Sequence, residues 1–185
     1  MLDSRLDLII GPMFSGKTSE LINIYNKYKI SNVKGVLLIN HFTDNRYTDN
    51  SFLVTHSNIK EECILLNNLT VLLKDEKLLS NKVFLINEGQ FFDDLFNVVL
   101  ELVEKHNKIV YIAGLDGDFN RNKIGQILDL IPYCDNIIKK KSICEKCKLL
   151  ENGLFTYKKQ KNNKVIEIGG KDLYIPLCRK CFIES

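Results

Sequence analysis

An eight-residue segment near the start of the chain has the pattern of a phosphate-binding loop. The segment GPMFSGKT, residues 11–18, fits G-x-x-x-x-G-K-[ST] and lies between an apolar run and a helical pattern. Glycine allows the backbone to curl so that amide N–H groups face inward and bind phosphate oxygens. A Gly-Pro turn with a chance Lys-Thr pair is the alternative. The predicted ATP- or GTP-binding residues here are Gly11, Pro12, Met13, Phe14, Ser15, Gly16, Lys17 and Thr18.

Two side chains of this loop have distinct predicted roles. Lys17 is predicted to reach the β- and γ-phosphates of the nucleotide, and the Thr18 hydroxyl is predicted to ligate Mg²⁺. The motif does not say which molecule receives the phosphoryl group.

Four of the six cysteines form two CxxC pairs near the end of the chain, and residues 148–177 separate the pairs. Four thiolates complete a closed tetrahedral Zn²⁺ site, and a site without an open position is structural. The long separation predicts a hairpin or another excursion between the pairs. Two disulfides or redox-active pairs are the alternative. The predicted zinc ligands are Cys144, Cys147, Cys178 and Cys181.

The segment VFLINEGQFF, residues 83–92, raises a question of chemistry. Its apolar start predicts a buried strand whose carboxyl end presents polar groups. Nucleotide kinases often place a carboxylate there to hold Mg²⁺, but here Asn87 comes first and Glu88 second. A carboxylate at the tip of a buried strand is rigidly placed to accept a hydroxyl proton. The alternative for Glu88 is to cap a helix that starts near Asp93, but the spacing between them is too long for a cap.

Strand and helix patterns alternate along most of the chain, which predicts an α/β fold. The predicted strands are continuous apolar runs, as expected for a parallel sheet buried on both faces. Asn67 or Asn68 is a predicted N-cap. The predicted strands are 5–10, 35–40, 83–86 and 108–114, the predicted helices are 17–29, 67–79 and 93–106, and 41–50 is a predicted loop.

The pattern changes after about residue 141, where cysteine pairs, short strands and a Lys/Asn-rich loop replace the alternation. We therefore predict a P-loop nucleotide-binding domain over 1–141, with its parallel sheet flanked by helices. A small zinc-binding subdomain is predicted over 142–185.

Composition indicates a globular chain with a sizeable core, since 45% of its 185 residues are hydrophobic. No apolar run approaches the roughly 18 residues that a membrane span needs. The first residues lack the pattern of a secretory signal. Together with the CxxC pairs, these features predict a cytoplasmic protein without a membrane partner.

A nucleic-acid-binding ATPase is a second functional class compatible with a zinc ribbon. The run Lys139, Lys140 and Lys141 is the feature that suggests it. However, 26 basic residues are offset by 23 acidic ones, and the lysine run is isolated. Binders of nucleic acid usually place basic residues in stripes with aromatic platforms. We therefore expect no nucleic-acid partner.

Several motifs together resemble thymidine kinases of the type shared by vertebrate cytosol, many bacteria and poxviruses. They are the phosphate loop, NEGQFF, DNRY, AGLDGDF, IGGKDLY and the C-terminal cysteine pattern. The resemblance runs from about Leu6 to Phe182, and the ending CRKCFIES is most similar to the poxvirus members. It implies ATP-dependent phosphorylation of thymidine at the 5′-hydroxyl to dTMP, in nucleotide salvage.

The resemblance also implies roles for individual residues. Glu88 matches the catalytic base, and Arg46 is a candidate to stabilise charge on the transferring phosphoryl group. It assigns ATP binding to Asp44, Asn45, Arg46, Asn87, Glu88, Gly89 and Gln90, in addition to the phosphate loop.

Thymidine binding is implied for a second set of residues. Phe119 would stack beside the thymine, and Met13 and Leu115 would lie near its methyl group. A lasso loop anchored by the zinc site would close over the nucleoside, and core packing is the alternative for Phe119 and Tyr174. The lasso residues are Val165, Ile166, Glu167, Ile168 and Gly169, with Tyr174 beyond. The resemblance further implies a homotetramer and feedback inhibition by dTTP.

Asn87 departs from the family pattern, which has aspartate at this position. An amide oxygen can still accept hydrogen bonds or ligate Mg²⁺, but it carries no charge. We therefore expect weaker Mg²⁺ affinity or lower turnover, with Asp44 or Asp116 as candidates to supply the missing charge. Two interpretations stay open: an active kinase, or a catalytically weakened nucleotide-binding relative.

Overall fold

The computed structural model describes residues 3–43, 52–54, 59–150, 152–159, 169–170 and 172–185. Within these ranges the chain forms a six-stranded parallel sheet flanked by helices, and two short two-stranded sheets. The predicted α/β class with a parallel sheet is confirmed. No helix in the described ranges is both long enough and apolar enough to cross a membrane.

The central sheet has the strand order β5-β2-β6-β7-β1-β8. The elements of its first half are β1 (Arg5–Ile10), α1 (Lys17–Lys29), β2 (Val36–His41), β3 (Phe52–Val54), β4 (Lys60–Glu62), β5 (Ile64–Leu66), α2 (Val71–Lys74), α3 (Glu76–Leu79) and β6 (Val83–Ile86). Strands β3 and β4 form a separate antiparallel pair. The predicted β1 and α1 are confirmed to the residue.

The second half completes the sheet and adds the C-terminal hairpin. It comprises α4 (Leu95–Leu100), which continues as a π-helix (Glu101–Lys105), then β7 (Ile109–Gly114), β8 (Asn136–Lys139), β9 (Phe155–Lys158), β10 (Tyr174–Leu177) and α5 (Arg179–Ile183). Short 3₁₀ helices span Gly89–Phe91 and Ile127–Tyr133. Strands β9 and β10 pair antiparallel, so the predicted excursion between the cysteine pairs contains a hairpin.

The central strands are mostly apolar because both faces of the sheet are covered. In β6, Phe84 and Ile86 pack into the core under α4, whereas Val83 and Leu85 pack into the core under α1. All four side chains are fully buried. This two-sided burial explains why the strands have continuous rather than alternating apolar patterns.

The predicted single helix over 67–79 is wrong, since the structure has two short helices there. Asp75 is extended, with φ −99° and ψ 110°, and its carboxylate accepts hydrogen bonds from the N–H groups of Lys77 and Leu78. The first helix begins after Thr70, so neither Asn67 nor Asn68 is its N-cap. Aspartate competes with helix continuation because its carboxylate bonds nearby backbone donors.

Candidate nucleotide site and cysteine cluster

The segment 11–18 connects β1 to α1 and curls as a phosphate loop must. Phe14 and Gly16 have φ values of 62° and 79°, in the left-handed region. A side chain at Gly11 would collide with the Lys140 carbonyl. The Ser15 hydroxyl and the Lys17 ammonium both donate to the Pro12 carbonyl, at 2.8 Å and 2.7 Å. The loop is thus internally braced, with amide groups at the start of α1, where anions are bound favourably.

The carboxyl end of β6 lies beside the end of this loop. The Thr18 hydroxyl donates to the Asn87 side-chain oxygen at 3.2 Å. The Asn87 side-chain N–H in turn donates to the Asn40 side-chain oxygen at 2.9 Å. Asn40 and Asn87 are 3% and 2% exposed, so water does not compete for these bonds. A chain of hydroxyl and amide groups therefore runs from the loop across two strands of the sheet.

Glu88 follows directly and adopts a left-handed conformation, with φ 51° and ψ 41°. Such a conformation is uncommon for residues other than glycine and is concentrated at functional sites. Glu88 precedes the 3₁₀ helix Gly89–Phe91, but its side chain makes no capping hydrogen bond there. The Gln90 side-chain N–H instead donates to the Glu88 carboxylate at 2.6 Å. The carboxylate is thus half-buried and oriented by a neighbour.

The C-terminal part of the chain contacts the phosphate loop directly. The Met13 N–H donates to the Thr156 hydroxyl at 3.0 Å, and the Ser142 hydroxyl donates to the Phe14 carbonyl at 3.0 Å. Both bonds fix main-chain atoms of the loop. The hairpin strand β9 and the segment before the first cysteine pair therefore help to shape the phosphate loop.

The proposed base-binding residues that the structure describes lie in loops and in the hairpin. Phe119 is half-buried, with the Lys158 ammonium 5.1 Å from its ring centroid. The Leu115 N–H donates to the Gln90 side-chain oxygen at 3.0 Å. Tyr174 is buried in β10, so the interpretation of this residue as part of the core keeps its support.

The two cysteine pairs come together in space. The Sγ atoms of Cys144, Cys147, Cys178 and Cys181 all lie within 4.8 Å of one another. All six cysteines of the chain are free thiols, which argues against the disulfide alternative. Four sulfur ligands converging at this distance suit a tetrahedral metal such as Zn²⁺.

Ionisation within this cluster is uneven. Burial opposes ionisation of the Cys144 thiol, but hydrogen bonds from backbone N–H groups of Cys147 and Cys178 outweigh it and lower its pKa to about 6. The Cys178 side chain raises the pKa of Cys181 to about 12. Adjacent thiolates repel each other, so a cation at the centre would allow all four to ionise.

The lysine run is largely neutralised by acidic side chains. Lys139 pairs with Asp116 at 2.9 Å, and Lys140 pairs with Glu20 at 3.1 Å. These pairs tie β8 to its surroundings, which is not the arrangement of a free basic stripe. The Asp116 charge is thus already matched by Lys139.

Comparison with known proteins agrees with this geometry. A family model described as thymidine kinase matches residues 4–182. The chain belongs to the thymidine kinase family. A thymidine kinase of Amsacta moorei entomopoxvirus is 40% identical, over 97% of this chain and 98% of the relative. A thymidine kinase of Vaccinia virus (strain Western Reserve) is 37% identical over the full length of both chains. A thymidine kinase of Oryza sativa subsp. japonica is 38% identical, over 98% of this chain and 67% of the relative.

Several residues that were assigned roles from the resemblance to thymidine kinases lie outside the described residues. They are Asp44, Asn45, Arg46, Val165, Ile166, Glu167 and Ile168. Their assignments stay predictions.

Sequence analysis missed Asn40, Ser142 and Thr156, which contact predicted site residues of this thymidine kinase family member. For Asn40 a signal was present. The runs LLIN (37–40) and FLIN (84–87) both end in asparagine, and their parallel pairing puts Ile39 beside Ile86. Continuing that register by one residue places the two asparagines side by side. Ser142 and Thr156 carry no such signal, because their contacts depend on how the C-terminal part folds back.

Proposed function

We propose that the chain phosphorylates thymidine at the 5′-hydroxyl with ATP as donor, giving dTMP and ADP. One observation carries the proposal: the tip of β6 presents Asn87 to the phosphate-loop Thr18 and, as the next residue, the oriented carboxylate of Glu88. Phosphoryl transfer needs positioning and charge stabilisation more than covalent catalysis. Membership in the thymidine kinase family supports the same reaction.

The phosphate loop supplies the donor side of the reaction. Inward amide groups from Gly11 to Thr18 would hold the phosphates of ATP. The Lys17 ammonium, which donates to Pro12 within the structure, would turn to the β- and γ-phosphates. Asp44, Asn45 and Arg46 are proposed to complete this side, together with Gly89 and Gln90 of the β6 turn.

The residues beside Thr18 fit Mg²⁺, which prefers oxygen ligands. Magnesium, when bound, neutralises charge on the phosphate oxygens. The Thr18 oxygen would hold it, because the hydroxyl proton is directed to Asn87 and leaves the oxygen lone pairs available. Asn87 thus serves as an uncharged acceptor behind Thr18.

Glu88 is proposed as the general base. The 5′-oxygen of thymidine forms a bond to the γ-phosphorus of ATP as the bond to the bridging β–γ oxygen breaks. The hydroxyl proton passes to the Glu88 carboxylate, and ADP leaves with the bridging oxygen. The hydrogen bond from Gln90 holds the carboxylate in one orientation for this transfer.

Thymidine binding is proposed for the loops near Phe119 and the hairpin. Phe119 would stack on the thymine, with Met13 and Leu115 near its methyl group. Backbone groups of 165–169 would recognise the base edge, with Tyr174 beyond. A structural Zn²⁺ held by the four clustered cysteines would anchor both ends of this excursion. A homotetramer, feedback inhibition by dTTP and residence in the cytoplasm belong to the same proposal.

The test is to incubate the purified protein with labelled thymidine, ATP and Mg²⁺, beside the Glu88→Gln variant. Both proteins are also tested for binding of a non-hydrolysable ATP analogue, which reports an intact phosphate loop. Conversion to dTMP by the first protein and almost none by the second supports a thymidine kinase with Glu88 as base. Equal conversion by both would contradict the role of Glu88.

A catalytically weakened relative is the second candidate, and Asn87 is the observation that favours it. Absence of dTMP with retained binding of the analogue would support that candidate. A nucleic-acid-binding ATPase is not favoured, because Lys139 and Lys140 are engaged in ion pairs.

A further inference from the structure

Asn40 has a contact that bears directly on the nucleotide site. It accepts a hydrogen bond from the side chain of Asn87, the residue that faces Thr18. We propose that Asn40 is a positioning residue that fixes which end of the Asn87 amide faces the Thr18 hydroxyl. The inference rests on the proposed function, because it concerns the metal side of the same site.

An amide needs orienting where a carboxylate does not. The two oxygens of a carboxylate both accept hydrogen bonds, whereas an amide has one accepting end and one donating end. In the structure the accepting oxygen of Asn87 faces Thr18. If the amide were reversed, its N–H would occupy a lone pair of the Thr18 oxygen. The hydroxyl proton would then have to point elsewhere, toward the place where a cation is to bind.

The backbone holds Asn40 and Asn87 in register. Strands β2 and β6 pair in parallel, and the Asn87 N–H donates to the Ile39 carbonyl at 2.8 Å. Asn40 is the next residue on β2, so its side chain lies beside that of Asn87. The 2.9 Å bond between them is buried. Reversal would set the Asn87 oxygen against the Asn40 oxygen, with no proton between the two acceptors, so the acceptor at Asn40 favours one orientation of the Asn87 amide.

The experiment is a double-mutant cycle with the wild type, Asn40→Leu, Asn87→Asp and the double variant. For each protein, the Mg²⁺ concentration that half-maximally activates thymidine phosphorylation is measured. The affinity for a non-hydrolysable ATP analogue is measured by calorimetry with and without Mg²⁺. The calorimetric measurement does not require turnover.

We expect Asn40→Leu, made in the wild type, to raise the half-activating Mg²⁺ concentration about tenfold, which corresponds to one unsatisfied buried donor. In the Asn87→Asp variant, position 87 has no amide to be oriented. The same substitution made there should change the half-activating Mg²⁺ concentration less than about twofold. The Mg²⁺-dependent part of the analogue affinity should follow the same non-additive pattern. Equal changes in both backgrounds would overturn the inference, because two substitutions that act independently have additive effects on the Mg²⁺ requirement.

Tyr111→Phe is the matched control. It removes the partly buried hydrogen bond between the Tyr28 and Tyr111 hydroxyls, 3.1 Å apart, on the face of the sheet under α1. This variant should leave the Mg²⁺ dependence unchanged, and a comparable shift in it would overturn the inference.

A second pair of variants keeps the test available if Asn40→Leu does not fold. Asn40→Ala removes the acceptor and should weaken Mg²⁺-dependent binding. Asn40→Asp keeps an acceptor oxygen and should bind at least as tightly as the wild type. Equal weakening by both would overturn the inference.

The two measurements separate the inference from the proposed function. Non-additive analogue binding without dTMP formation would refute the function and support the positioning role. Turnover of thymidine with an additive cycle would support the proposed function and refute the positioning role.

Discussion

The buried side-chain amide of Gln90 joins Glu88 to the loop that follows β7. Its N–H group lies 2.6 Å from the Glu88 carboxylate, and its oxygen accepts from the Leu115 N–H at 3.0 Å. Gln90 is 4% exposed, so its end of both bonds is shielded from water. The proposed catalytic base therefore has its orientation set by the same residue that holds the loop proposed to contact thymidine.

Replacing Gln90 by leucine tests this connection. We expect Gln90→Leu to lower kcat by roughly tenfold to a hundredfold, part of the 10²–10⁴ that a well-placed base contributes. The KM for ATP should change less than kcat, because Gln90 is only one of the residues proposed to bind ATP and the phosphate loop is not altered. Gln126→Leu is the matched control, since the Gln126 side-chain amide likewise accepts one hydrogen bond and donates another, to backbone groups outside the site. Steady-state kinetics giving the same loss of kcat in both variants would contradict the connection.

Restoring a charge at position 87 should change the metal requirement. Two unit charges about 4 Å apart interact by roughly 4 kcal/mol at an effective dielectric near 20, and screening by water and phosphates leaves less. We expect Asn87→Asp to be activated at lower Mg²⁺ concentrations. Without metal its melting temperature should fall, because a carboxylate would be buried beside a neutral amide. Identical Mg²⁺ titrations of the two proteins would rule out this account of Asn87.

Removing a ligand from the cysteine cluster should affect both stability and nucleotide binding. We expect the purified protein to contain about one zinc per chain, and Cys144→Ser to lose most of it. The melting temperature should fall and the affinity for ATP should weaken, because Ser142 and Thr156 reach the phosphate loop from this part of the chain. Metal analysis, thermal melts and calorimetry measure the three effects. Cys134→Ser, which alters a free thiol outside the cluster, should retain the metal.

Replacing Ser142 by alanine removes the hydrogen bond that its hydroxyl donates to the Phe14 carbonyl of the phosphate loop. We expect Ser142→Ala to raise the KM for ATP about fivefold with little change in kcat, since one hydrogen bond contributes about 1 kcal/mol. The reason is that the Phe14 carbonyl, at a residue with a left-handed backbone conformation, loses its hydrogen bond from Ser142. Ser80→Ala removes an exposed hydroxyl that also donates to a carbonyl, at 2.6 Å, and serves as control. An unchanged KM would show that the loop holds its shape without Ser142.

Two site elements were readable from local sequence because their chemistry is local. The phosphate loop lies within eight consecutive residues, and each CxxC pair has its ligands three residues apart. Apolar runs also identified β1, β2, β6 and β7, since strands buried on both faces are mostly apolar. Strands β5 and β8 were not predicted, because both are short and β8 is mostly exposed at the edge of the sheet.

The sequence by itself therefore determined the fold class, the segment with the phosphate-loop pattern, the two cysteine pairs and the family. The tertiary structure decided which polar groups meet: Asn40 with Asn87 through strand pairing, and Ser142 and Thr156 with the phosphate loop through folding of the C-terminal part. Local patterns arise from the periodicity and turn preferences of neighbouring residues. Hydrogen bonds between groups more than 40 residues apart depend instead on strand order and register, which are set by packing of the whole core.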